Sequence, residues 1–96
     1  MRCSDIVTIM GAREVVANLK ELRDRTGTAA GAQRVAWGPV WRDARAWFAG
    51  KLAAIGLAPT TDAAGNCWIT LEGDSPRAVI IGGHLDSVPN GGWLDG

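Results

Sequence analysis

The 96-residue chain contains no tyrosine, a single histidine and only two cysteines, and it carries no net charge. Ten basic side chains cancel ten acidic ones, and neither sign gathers into a run. The electrostatic footprint of a nucleic-acid or anionic-membrane binder is therefore missing. Five tryptophans could stack on bases, but without a basic groove they read as core and contact residues. Cys3 and Cys67 form neither a metal-type pair nor a disulfide framework, which fits a reducing compartment and a cytoplasmic protein. No apolar run approaches the roughly 20 residues of a membrane-spanning helix. The stretch IVTIM near the start is too short, and too close to Asp5, for a secretory segment.

What is present is the balance of a soluble globular protein, 47% apolar and 21% charged, at a length that allows one small domain. From Arg13 to Thr26, the residues Val15, Val16, Leu19 and Leu22 recur at three- and four-residue steps. This spacing predicts an amphipathic helix, with Glu21 and Arg25 paired one turn apart and Gly27 as its stop. The following GTAAGAQRVAWG has no clear period. It is long for an ordered loop and is either mobile or committed to a site, with mobility the simpler reading. A second helix is expected from Pro39, with Trp41, Ala44, Phe48, Leu52 and Ile55 on one face and Gly56 at its end. Arg42, Asp43 and Arg45 then form a solvated face.

LAPTT and CWITLEG flank DAAGN, a short turn between two β-prone runs that reads as a hairpin, with Pro59 pushing its strand to an edge. A second turn, GDSP, leads into RAVIIGGH, whose four consecutive apolar residues predict a strand buried on both faces. Two helices, a hairpin and a buried strand make the fold class α/β.

The stretch from residue 82 to residue 96, GGHLDSVPNGGWLDG, holds the only histidine, two aspartates and five glycines. Strands of α/β sheets deliver functional groups at their C-terminal ends, where His84 sits. In extended chain Asp86 emerges on the same side. Its carboxylate can therefore accept the ring N–H and leave the other nitrogen free to bind a metal. Asp95 returns a second carboxylate eleven residues after the histidine. The glycines allow sharp turns and close backbone approach, but the loop lacks the spacing and lysine of a phosphate cradle.

With DAAGN upstream and QRVAWGPVWRDARAWFAGKLAAIGL before it, this stretch resembles the N-terminal part of the hydantoinase/carbamoylase-type amidases, a branch of the zinc aminopeptidase-like hydrolases. The similarity runs in order from about Arg13 to Gly96; its most specific part is H-x-D-x-V-P-N-G-G followed by D-G. The resemblance implies that residues 1–96 are the N-terminal part of a single metallohydrolase catalytic domain. It also implies a homodimeric parent with an inserted dimerisation domain, of which nothing is present here. By the same resemblance His84 is a metal ligand, Asp86 the catalytic carboxylate that orients it, and Asp95 the bridge between two divalent ions, zinc or else manganese, nickel or cobalt. The activity implied is hydrolysis of a carbon–nitrogen bond in an N-carbamoyl-L-amino acid, allantoate or β-ureidopropionate, through metal-activated water.

One histidine is too few for such a centre. Glu14, Glu21 and Glu72 lie in the first helix or in and beside the hairpin, not where the family has its general base and later ligands. The expectation is therefore an inactive fragment that binds zinc weakly. Two alternatives stay open: a related aminopeptidase or dipeptidase, and a noncatalytic interaction module built on Trp37, Trp41 and Trp47.

Overall fold

A computed structural model describes residues 10–96; Cys3, Asp5 and the IVTIM stretch lie outside the described residues. Helix α1 (Ala12–Thr26) and helix α2 (Pro39–Ala54) form where the apolar spacing predicts them. The Gly11 N–H donates to Glu14 Oε2 at 3.1 Å, satisfying one of the free donors at the start of α1. Pro39 stands in the first turn of α2, where its missing N–H costs nothing. At the far end Gly56 donates to the Ala53 carbonyl (3.0 Å) and Leu57 to that of Leu52 (2.9 Å). This double reversal needs a left-handed residue, and Gly56 supplies it with φ of +80°.

The helices pack on each other through Leu22, Ala44 and Leu52, with Ala44 wholly buried. Between them runs an apolar groove of about 250 Å³ lined by Leu19, Leu22, Trp47, Phe48, Leu52 and Leu85 among others. The expected Glu21–Arg25 pairing within α1 is replaced by bonds across the helix pair. Arg25 Nε donates to Asp43 Oδ2 at 2.8 Å, while Glu21 accepts from Trp47 Nε1 at 2.8 Å and from Lys51. Once α2 lies alongside, it offers Glu21 the Trp47 and Lys51 donors and Arg25 the Asp43 acceptor in place of a neighbour one turn away. Asp43 is accordingly not part of a purely solvated face, and Arg45 lies 4.8 Å from the Trp41 ring centroid in a cation–π contact.

The segment read as mobile is ordered instead. Strands β1 (Gly27–Thr28) and β2 (Gly31–Ala32) form a tight antiparallel ladder, Gly27 opposite Ala32 and Thr28 opposite Gly31. The second hairpin is as expected: β3 (Thr60–Thr61) pairs with β4 (Cys67–Trp68), joined through DAAGN with Gly65 at φ +90°. Trp37 lies over this turn, since a Cβ added at Gly65 would stand 3.1 Å from its ring.

The expected buried strand at 77–84 is the main correction. No strand forms there, and Val79, Ile80 and Ile81 are 87%, 78% and 91% exposed. A strand interior to a sheet needs a ladder partner on each side, and among the described residues neither two-stranded pair includes this segment. The described residues thus comprise two helices and two small antiparallel pairs, an α/β composition without a central sheet.

Candidate functional site

Leu85 is the pivot of the site. Its side chain lines the α1–α2 groove, so the alternation of an extended chain turns the flanking His84 and Asp86 outward together. His84 Nδ1 lies 3.1 Å from Asp86 Oδ1 and 3.0 Å from the Asp86 backbone oxygen. Both neighbours are acceptors, so in the neutral ring this geometry fits the tautomer with the proton on Nδ1 and the lone pair on Nε2. The pair is about half exposed, open to a solute.

The chain after this pair is clamped to β2 and the residues beyond it. Ala32 donates to the Gly91 carbonyl (2.8 Å) and Gly91 to that of Ala32 (3.1 Å). Gln33 Nε2 donates to Asn90 Oδ1 at 2.7 Å, and the Asn90 N–H returns a bond to Gln33 Oε1 at 3.2 Å. Ser87 N–H donates to the Arg34 carbonyl at 2.8 Å, and the Arg34 N–H donates to Ser87 Oγ at 2.9 Å. Gly31 is required at this contact: it has φ of +133°, and a Cβ there would stand 2.5 Å from the Gly91 carbonyl oxygen. Asn90 adopts the left-handed conformation, φ +56°, which asparagine tolerates and which turns PNGG back toward β2.

Arg34 was not anticipated as a site residue. It is 2% exposed; Nε donates to the Leu85 carbonyl at 2.7 Å and Nη1 to Thr26 Oγ1 at 3.2 Å. Burial lowers its pKa from the ordinary value, and the negative Asp86 works in the opposite direction. Its only sequence signal was an arginine inside an aperiodic run, which gives no indication of burial.

Asp95 lies in a turn closed by its own N–H on the Gly92 carbonyl at 3.1 Å. The adjacent Gly96 rests on the histidine, since a Cβ there would be 3.1 Å from His84 Nδ1. The structure thus brings the D-G end of the motif back to His84. Among the described residues, however, no group of three or more His, Cys, Asp and Glu side chains could hold a metal ion. A catalytic zinc takes three protein ligands and water, so these residues offer one oriented imidazole and do not fit a complete centre. The three tryptophans of the interaction-module reading are divided. Trp37 and Trp41 meet in a tilted contact with ring centroids 4.8 Å apart, whereas Trp47 is bonded to Glu21 of α1.

An imidazole oriented through one nitrogen, with the other free, is the equipment of a ligand or a proton-transfer group. Sequence comparison finds relatives that are named amidohydrolases. The chain is 39% identical over 70 residues to the allantoate amidohydrolase of Escherichia coli strain K12, covering 71% of this chain and 17% of that protein. It is 32% identical over 87 residues to an N-carbamoyl-L-amino-acid amidohydrolase of Paenarthrobacter aurescens, covering 88% and 21%. A Geobacillus stearothermophilus protein of the latter kind is 41% identical over 68 residues, covering 69% and 17%. The chain is therefore a sequence relative of the carbamoylase-type amidases, and it spans about a fifth of the length of the curated relatives it matches. No family model and no solved structure matches it.

Proposed function

We propose that this chain supplies part of the active site of a cytoplasmic, homodimeric amidohydrolase of the zinc aminopeptidase-like type. It would cleave the carbon–nitrogen bond of an N-carbamoyl-L-amino acid or a related ureido acid such as allantoate or β-ureidopropionate. His84 is one ligand of a divalent-metal centre, Asp86 the carboxylate that orients it, and Asp95 a second ligand. The remaining ligands and the general base come from outside these 96 residues, so the chain alone has no amidase activity. The observation that carries this reading is the His84 ring, held at Nδ1 by two Asp86 oxygens, with no bond at Nε2 among the described residues. The names of the relatives supply the substrate class, and favour it over the peptide bonds of an aminopeptidase or dipeptidase.

The reading is tested by exchanging these residues into the matching segment of a carbamoylase-type amidase. The exchanged enzyme is expected to release ammonia from N-carbamoyl amino acids and to leave dipeptides intact. His84→Ala should abolish turnover, and Asp86→Ala should lower it roughly 10- to 100-fold, the usual cost of losing the partner of a ligating histidine. Full activity in the His84→Ala protein would exclude the assignment.

A further inference from the structure

The buried guanidinium of Arg34 has no part in the ligand set above, yet its strongest bond falls on the residue between His84 and Asp86. Nε donates to the Leu85 carbonyl at 2.7 Å, shorter than its Nη1 contact to Thr26 Oγ1 at 3.2 Å. Thr26 Oγ1 in turn donates to the Leu22 carbonyl at 2.6 Å, so a continuous chain of hydrogen bonds runs from the last turn of α1 to the His-x-Asp backbone. The Arg34 main chain grips the other side of the same segment, through both Ser87 bonds. Arg34, Thr26 and Ser87 are the buried polar and charged residues of the described chain, and no buried side-chain nitrogen or oxygen among the described residues lacks a partner. An arginine is seldom buried to this degree without a paired role.

We propose that Arg34 is a positioning residue for the His84–Asp86 pair. By fixing the Leu85 carbonyl it sets the backbone rotation that turns both flanking side chains to one side, where the Asp86 oxygens face His84 Nδ1. Nδ1 therefore keeps the proton and Nε2 stays free. The value of this arrangement for catalysis rests on the reading of His84 as a ligand; the arrangement itself does not.

The chain's single histidine makes the effect directly readable. Nitrogen-15 NMR of the full chain, without metal and at alkaline pH where imidazole is neutral, is expected to report the Nδ1–H tautomer. Arg34→Lys keeps a positive charge but loses the Nε–H fork; it should lose the predominance of this tautomer while the helical circular dichroism is retained. A variant that keeps both its helices and the Nδ1–H tautomer would overturn the proposal. Should Arg34→Lys not fold, hydrogen exchange in the unaltered chain decides. The Arg34 Nε–H must then exchange far more slowly than those of the exposed arginines, and exchange at their rate is equally fatal to the proposal. Because metal is absent throughout, failure here is distinct from failure of the exchanged enzyme to turn over.

Discussion

The Asp62 carboxylate accepts from the backbone N–H groups of Ala64 (3.0 Å) and Asn66 (2.9 Å), from Asn66 Nδ2 (3.0 Å) and from Trp68 Nε1 (2.8 Å). Hydrogen bonds from Trp68 and then Asn66 favour the charged form and lower its pKa to about 2. An unfolded aspartate titrates near 4, so its ionised form stabilises the hairpin above about pH 4 and this contribution is lost as pH falls toward 2. The Trp68 indole N–H resonance is expected to move to its solvent-exposed position across that window. In Asp62→Ala it should sit there at all pH values; an indole signal unchanged from pH 6 to pH 2 would contradict the hub. DAAGN was legible as a turn from its Gly and Asn. That its aspartate binds the Trp68 indole was not, because this depends on the register Thr60 opposite Trp68. Arg34 was missed for a similar reason: sequence periodicity describes faces, and Arg34 is buried by a loop from more than fifty residues away.

At the scale of elements, both helices were legible because apolar spacing and terminal signals agree. The partners that tie them together were not. Glu21 and Arg25 are suitably spaced for a bond within α1, but Asp43, Trp47 and Lys51 take those roles once α2 packs alongside. These exposed pairs select the register of the helices more than they stabilise it. The end of α2 matters more: Gly56→Ala places a Cβ in the left-handed region, at a cost of about 1–2 kcal/mol. Urea unfolding should show this loss and a smaller one for Asp43→Ala; the reverse order would mean that the ion pairs, not the cap, hold the helices. The hairpin β1–β2 was illegible because Gly, Ala and Thr carry no alternation. It is specified instead by a close approach that only Gly31 permits.

The whole molecule is looser than its length would suggest. Its radius of gyration is 14.5 Å, against about 13 Å for a compact domain of this size, and Val79, Ile80 and Ile81 of the segment at 77–84 lie uncovered. Sequence reading recognised AVII as a strand-forming run, but strand formation is decided by partners, and none is available among the described residues. Exposed β-prone apolar chain is a template for pairing. The protein is expected to self-associate with rising concentration in sedimentation velocity, and Ile80→Lys should suppress this. Strictly monomeric behaviour at all concentrations would show that the run is harmless. No helix among the described residues is long and apolar enough to cross a membrane.

The local site was more legible than the fold around it, since the pairing of His84 with Asp86 depends on two residues in extended chain. The clamp that holds the pair, from Gly31 to Arg34 and from Ser87 to Gly91, is tertiary and had no sequence signature. The central claim is that this clamp presents one free imidazole nitrogen to a cation without completing a metal centre. Titration of zinc into the full chain, followed at the His84 ring by nitrogen-15 NMR, tests it most directly. Weak, single-site binding should move the Nε2 resonance while Nδ1 retains its proton, and His84→Ala should lose it. Tight binding of two ions, or zinc seated on Nδ1, would contradict it.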